Sequence, residues 1–237
     1  MSLLFQKKIK LLICDMAGTT IKENGVIYSA LYNTLRDMNY DIDKTQVSTW
    51  GGKDKHEVLH QEISKFEPNE AILEKKCKIA NIQLLNTLNN EYFNHNSLNL
   101  IDPYLPCFLE KLKFNNIDIA LNTGYPKSFQ KDIIDYLHMD EFINDYISSE
   151  EVKYGRPYPY MIHRLMERFD IENVKNVAKV GDTIMDMKEG KNAGCGLVIG
   201  VLSGVNNKEE LFKYGADMVL DSIMDLNDDT NTFDFLL

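Results

Sequence analysis

The feature that most limits the available folds is a repeated pattern. A short apolar run ends in a cluster of polar residues, and a segment of helical spacing follows. The first case is Ile9-Lys10-Leu11-Leu12-Ile13-Cys14, apolar without a break from Leu11 until it meets Asp15. Consecutive apolar residues suit a strand buried on both faces. The same signal recurs at Ile117 to Leu121, Asp145 to Ser148, Val177 to Val180, Leu197 to Val201 and Met218 to Leu220. Helical stretches such as Lys127 to Leu137 and Pro159 to Phe169 separate these runs. Alternating strands and helices predict an α/β fold with a mainly parallel, Rossmann-like sheet. From about Ile21 to Leu100 the alternation stops. Apolar residues there (Ile72, Leu73, Ile79, Ile82, Leu85, Leu88) recur at helical spacing, and no strand is evident. The expected organisation is a core of residues 1–20 and 101–237 with a helical insert over 21–100.

Ligands of open parallel sheets bind beyond the carboxyl ends of the strands, so the polar clusters there carry the chemistry. Four stand out: Asp15-Met16-Ala17-Gly18-Thr19-Thr20, Asn122-Thr123-Gly124-Tyr125, Tyr154-Gly155-Arg156-Pro157-Tyr158-Pro159, and Gly181-Asp182-Thr183-Ile184-Met185-Asp186. Taken singly, each is also what a capped turn or a rigid surface loop looks like. Taken together they offer three carboxylates (Asp15, Asp182, Asp186), a hydroxyl with backbone N–H groups beside it (Thr123), and a cation on a proline-restricted loop (Arg156). Carboxylates gathered at one point repel one another unless a cation joins them, and magnesium prefers such oxygen donors.

The four clusters in this order resemble the signature motifs of the haloacid dehalogenase superfamily. They are most similar to its phosphonatase-like branch through Asp-x-Ala-Gly-Thr-Thr, Thr-Gly-Tyr, Gly-Arg-Pro-Tyr-Pro and Gly-Asp-Thr-x-x-Asp-Met-Lys-Glu-Gly. The resemblance implies a Rossmann-like core with a helical cap domain inserted after the first motif. It implies Asp15 as the nucleophile that forms an aspartyl phosphate. Mg2+ would be held by Asp15, the Ala17 carbonyl and Asp182, with Asp186 acting through water. Thr123, Gly124, Gly18 and Thr19 would surround the phosphoryl group, and Arg156 would orient Asp15. Common phosphatases of the superfamily carry a second Asp two residues after the nucleophile to protonate the leaving oxygen. Ala17 stands there, which favours carbon–phosphorus cleavage through a lysine Schiff base over ester hydrolysis. The branch pattern for that lysine is Gly-x-x-Lys-x-x-His. Here Trp50-Gly51-Gly52-Lys53-Asp54-Lys55-His56 keeps Lys-x-x-His with Lys53, one residue short in its glycine spacing, with Lys55 nearby. The expected activity is a phosphonatase-like hydrolase acting on a small phosphonate. A phosphomonoesterase on a small phosphorylated metabolite and a weakly catalytic phospho-ligand binding protein are the alternatives. A homodimer through the cap is implied by resemblance alone. Hinges are expected near Thr20 to Glu23 and Ile101 to Tyr104.

The totals agree with a small anionic substrate rather than a polymer. A formal net charge of -10 opposes nucleic acid and anionic membrane. No apolar run approaches a membrane span, and no signal peptide is read at the start, so a cytoplasmic protein is expected. The four scattered cysteines (Cys14, Cys77, Cys107, Cys195) are expected to be reduced thiols. His60, His95, His138 and His163 lack metal-ligand spacing, and the acidic tail from Asn227 to Asn231 is expected to fray.

Overall fold

A computed structural model of the chain describes residues 9–22, 24–94 and 97–227. Six strands form where the apolar runs place them: β1 (Leu11–Asp15), β2 (Asp118–Thr123), β3 (Asp145–Ser148), β4 (Val177–Gly181), β5 (Leu197–Val201) and β6 (Met218–Leu220). All pair in parallel, in the order β3-β2-β1-β4-β5-β6. All five residues of β1 are buried because it runs through the middle of the sheet with both faces covered. Its side chains alternate between the two faces. Leu12 and Cys14 join one core with Leu109 and Ile133, while Leu11 and Ile13 join a second with Met161 and Met187.

The described residues also form eight α-helices: α1 (Val26–Asp37), α2 (Lys55–Ser64), α3 (Glu70–Asn89), α4 (Leu105–Phe114), α5 (Lys127–Tyr136), α6 (Tyr160–Arg168), α7 (Ile184–Ala193) and α8 (Lys208–Lys213). The first three form the helical cap, with a 3-10 turn over Lys44–Trp50 between α1 and α2. The buried stripe of α3 is Leu73, Cys77, Ala80, Leu84 and Leu88. The helix forms where the spacing placed it, but Ile72, Ile79 and Ile82 of that apolar set are exposed. Two apolar rows run along this helix. The small side chains of Cys77 and Ala80 let α1 and α2 approach one of them, and apolar content alone does not say which row is covered. No helix among the described residues is long and apolar enough to cross a membrane.

The cap joins the core through two adjacent segments. Ile21 bridges Leu100, Lys22 N–H donates to Asn99 O at 2.9 Å, and Ile101 N–H donates to Thr20 O at 2.9 Å. Glu23, at the end of the first expected hinge, lies outside the described residues, as do His95 and residues 228–231 of the tail.

The strand order sets the position of the site. After β3 the chain crosses β1 to begin β4, so the connections diverge between β1 and β4, and the crevice at such a switch point is where ligands bind. Register brings the ends level: Asp15 pairs with Asn122, Cys14 with Val180, and Thr123 with Ser148.

Candidate active site

Asp15 ends β1 and is 4% exposed. The chain turns at once: the amides of Thr19, Thr20 and Ile21 all donate to Met16 O, at 3.2, 2.9 and 2.9 Å. Gly18 adopts a left-handed φ of 83° in this turn. A Cβ there would meet the Asp182 carboxylate at 2.8 Å and Gly204 Cα at 2.9 Å, so only glycine lets the β1 turn pass this close to the β4 loop.

The fourth cluster reaches the same point from β4. Asp182 follows the strand and accepts from Val205 N–H at 2.9 Å and from the Thr19 hydroxyl at 3.4 Å. Thr183 caps α7 and forms a capping box with Asp186, which turns that second carboxylate inward. Asp15, Asp182 and Asp186 are all buried and offer carboxylate oxygens within 4.8 Å of one another. Burial, then the charges of Asp15 and Asp186, push Asp182 well above the usual carboxylate range. Burial also raises Asp15, with Arg156 opposing. Burial acts on Asp186 in the same direction, but Arg156 and Lys179 together outweigh it and hold that carboxyl below its ordinary value.

Arg156 lies at the centre of this charge cluster, 3% exposed. Its Nη2 stands 2.6 Å from Asp15 Oδ1, its Nη1 3.2 Å from Asp186 Oδ1, and its Nε 3.3 Å from Glu189 Oε2. Nη2 also donates to Asn122 O at 2.7 Å. Beneath it is a layer that the sequence reading missed. Lys179, fully buried on β4, places Nζ 2.7 Å from Asp186 Oδ1 and donates to Asn122 Oδ1 at 2.9 Å. The Asn122 amide donates to both Glu189 oxygens, at 3.0 and 2.9 Å. The signal was present: a lysine interrupts the apolar run Val177-Ala178-Lys179-Val180 of a strand buried on both faces, where a charge needs a partner.

The buried groups of this cluster are four carboxylates (Asp15, Asp182, Asp186, Glu189) and two cations (Arg156, Lys179). With all four ionised they would leave a deficit of two positive charges. An all-oxygen donor set with this deficit fits one divalent cation.

The second cluster lies alongside. Tyr125 N–H donates to Thr123 Oγ1 at 3.2 Å. A Cβ on Gly124 would meet the Lys53 carbonyl at 2.5 Å, because the loop before α2 rests on this glycine. That loop makes three further contacts with the core. Lys55 N–H donates to Gly124 O at 3.3 Å, Arg156 Nη1 reaches Gly52 O at 3.5 Å, and the Ser149 hydroxyl donates to Asp54 Oδ2. The other Asp54 oxygen caps α2 at Glu57 N–H, 2.8 Å away.

A cavity of about 20 Å3 is lined by Asp15, Thr123, Gly124, Arg156, Ala17 and Lys55, among others. It has room for about one water. Lys53, the candidate amine of the sequence reading, is not among its lining residues. Lys53 instead accepts from Lys55 Nζ through its carbonyl at 2.8 Å. Lys55 is 6% exposed, with Nζ 5.9 Å from the centre of the Tyr28 ring. Anchoring the Gly-x-x-Lys spacing on Gly52 finds Lys55. Keeping the histidine three residues after the lysine points to Lys53. Of the residues assigned to substrate, Gly124 lines this cavity, Gly18 lines a larger neighbouring one, and Thr19 lines neither, its hydroxyl being directed to Asp182. Trp50 is buried and donates to Glu62. Cys14, Cys77, Cys107 and Cys195 are all unbridged, and burial pushes the Cys14 thiol up to about 12.

Known proteins resemble this chain. Residues 9–194 match the family described as haloacid dehalogenase-like hydrolase. The phosphonoacetaldehyde hydrolase of Latilactobacillus sakei is 32% identical over 206 residues, spanning 82% of this chain and 76% of its own. That of Parabacteroides distasonis is 27% identical over 251 residues, spanning 93% and 95%. A crystal structure of a phosphonoacetaldehyde hydrolase-like protein from Oleispira antarctica shares the fold, with a TM-score of 0.79 and 19% identity over 100% of this chain and 95% of that one. A parallel sheet that brings three buried carboxylates to its switch point, within a chain matched over most of its length, settles the family: the protein belongs to the haloacid dehalogenase-like hydrolases and is closely related to the phosphonoacetaldehyde hydrolases.

Proposed function

We propose that the chain is a Mg2+-dependent, phosphonatase-like hydrolase that passes the phosphoryl group of a small phosphonate to Asp15. One observation carries this reading: Lys55 lines the same cavity as Asp15, Thr123 and Arg156, while position 17 carries a methyl group. An ester hydrolase needs an acid beside its leaving oxygen, and Ala17 supplies none. A phosphonate with a carbonyl next to the departing carbon needs an amine instead.

In the proposed sequence the neutral Lys55 amine adds to the carbonyl carbon, and water leaves to form an imine protonated on nitrogen. Asp15 attacks phosphorus as the carbon–phosphorus bond breaks, and that electron pair moves into an enamine. The enamine takes a proton on carbon, and water hydrolyses the imine to free the aldehyde and Lys55. A second water releases phosphate from Asp15. Arg156 fixes the attacking carboxylate through its 2.6 Å contact. Thr123 and the N–H groups beside it face the phosphoryl oxygens. Asp15 and Asp182, with the Ala17 carbonyl, would hold Mg2+, and Asp186 would act through water. When bound, the ion offsets the negative charge that otherwise keeps carboxylate and phosphonate apart.

For substrate to enter, the bodies formed by residues 1–20 with 101–237 and by 21–100 separate about the paired segments near Thr20 and Ile101. The substrate is a small molecule, and the net charge of -10 disfavours nucleic acid and anionic lipid. The exposed row Ile72, Ile79 and Ile82 on α3 supports pairing of two caps in a homodimer.

The test is incubation with phosphonoacetaldehyde and Mg2+, followed by borohydride. Phosphate release together with a reduced adduct on Lys55 is the expected result. Phosphate release with the adduct on Lys53 would reassign the amine. Neither phosphate nor adduct would overturn the phosphonatase reading, and turnover of an alkyl phosphate ester alone would replace it with the phosphomonoesterase.

A further inference from the structure

Two cavities meet at Ala17 and Tyr28, which line both. The smaller carries Asp15, Arg156 and Lys55. The larger measures about 330 Å3, and its walls include Val47 of the cap, Val205 of the core, and Gly25. At about 30 Å3 per water it has room for roughly ten waters. A two-carbon leaving group would leave most of that space unfilled.

Its position and walls indicate what fills it. Asp15, where phosphorus would be attacked, lines the smaller cavity, and the larger one begins at Ala17, two residues on. The walls are mostly apolar: the Ala17 methyl, the two valines and the Tyr28 ring. Among the described residues the only charged one lining it is Asp182, at the cation-binding end, and none of those described as lining it is a Lys, Arg or His. A leaving group bearing a second carboxylate or phosphate would therefore meet no counter-charge, and a hydrocarbon loses nothing there. At Gly25 an added Cβ would meet no atom within 4 Å, so the space is open on the cap side as well.

We propose that this cavity receives an apolar substituent, so that the site takes, besides phosphonoacetaldehyde, small phosphonates whose departing carbon skeleton is longer than two carbons and carries no second charge. The proposal rests on Asp15 and Arg156 forming the phosphoryl site, as described above.

The test is binding of inert n-alkylphosphonates, from methyl to hexyl, to the full chain with Mg2+, by calorimetry. Each methylene placed in the cavity is expected to tighten binding about fourfold, or about 250-fold from methyl to pentyl. Val205→Phe and Val47→Phe fill the cavity from opposite walls. Each is expected to lower the pentyl-to-methyl affinity ratio at least tenfold, and Val205, 41% exposed, tolerates a larger side chain without disturbing the core. If pentylphosphonate binds no tighter than methylphosphonate, or if neither variant changes the ratio, the inference is overturned while the phosphoryl site stands. If no member of the series binds at any length, the phosphoryl-site reading fails first, and this inference with it.

Discussion

The core and the cap meet at the same cavity but place their functional groups there by different means. In the core, Asp15, Thr123 and Asp182 stand at the ends of adjacent parallel strands, and the hydrogen-bond ladder fixes their levels. A one-residue slip would turn every side chain of a strand to the other face, so the position of these residues follows from the buried runs behind them. In the cap, Lys55 is the first residue of α2, held by a short loop that rests on Gly124 and Ser149. No ladder sets its register; the cap of α2 and a few contacts to the core do. Groups anchored in the sheet are fixed on folding, whereas in the proposed mechanism the amine of the cap reaches the substrate only on closure.

The sharpest way to break this contrast is at the sheet. Asp15→Asn is expected to lower phosphate release by about 10⁴-fold or more, as removal of a nucleophile does. It should leave the protein folded, because it removes one charge from a crowded acidic cluster. Unfolding of this variant at ordinary temperature would mean that the carboxylate is structural.

Lys179→Met tests the layer beneath. Removing one partner from a buried charge network costs about 3–5 kcal/mol, a fall in melting temperature of about 10 °C for a chain of this size. Lys179→Met with Glu189→Gln should recover part of that loss, since the two residues belong to one network. Strict additivity in calorimetry would show that they do not.

On the cap side, Lys55→Ala is expected to lose about 10³-fold in turnover along with the borohydride adduct, while Lys53→Ala stays within about threefold of the parent. Equal losses would show that the loop does not discriminate between the two lysines.

Cation binding offers a subtler probe. The folded Asp182 and Asp15 carboxyls are raised above their ordinary 3.8, chiefly by burial. Without metal the folded state therefore holds protons that the unfolded state releases, and its stability falls as pH rises above about 3.8. The lowered Asp186 opposes this, but it acts alone against three raised groups, Glu189 being the third. Mg2+ favours the ionised forms, so its stabilisation should grow with pH, to about 2.7 kcal/mol at a hundredfold excess over its Kd. Melting curves from pH 5 to 8, with and without Mg2+, measure this, and a stabilisation independent of pH would count against shared coordination by these carboxylates.

The smallest effect is expected at the loop contact. Asp54→Ala removes both the α2 cap and the Ser149 contact at a cost of about 1–2 kcal/mol. It should raise KM more than it lowers kcat. In a Lys55→Ala background it should have no further effect on turnover, because it acts through that lysine.

By itself the sequence determined the strands and the ends at which the site lies, while their order in the sheet came from the fold. Six apolar runs became six strands, and the polar residues closing four of those regions converged, because burial and register leave a parallel sheet few alternatives. The family resemblance was legible for the same reason: its motifs sit at strand ends, where position along the chain translates directly into position in space. Tertiary structure alone decided which row of α3 is covered, where Lys55 rather than Lys53 points, and how Lys179, Asn122 and Glu189 neutralise the charges below Arg156. Each depends on a contact between distant segments with no ladder between them. Spacing along one element cannot say which neighbour arrives, and where both rows are apolar or both lysines are near, only the packed partner makes the choice.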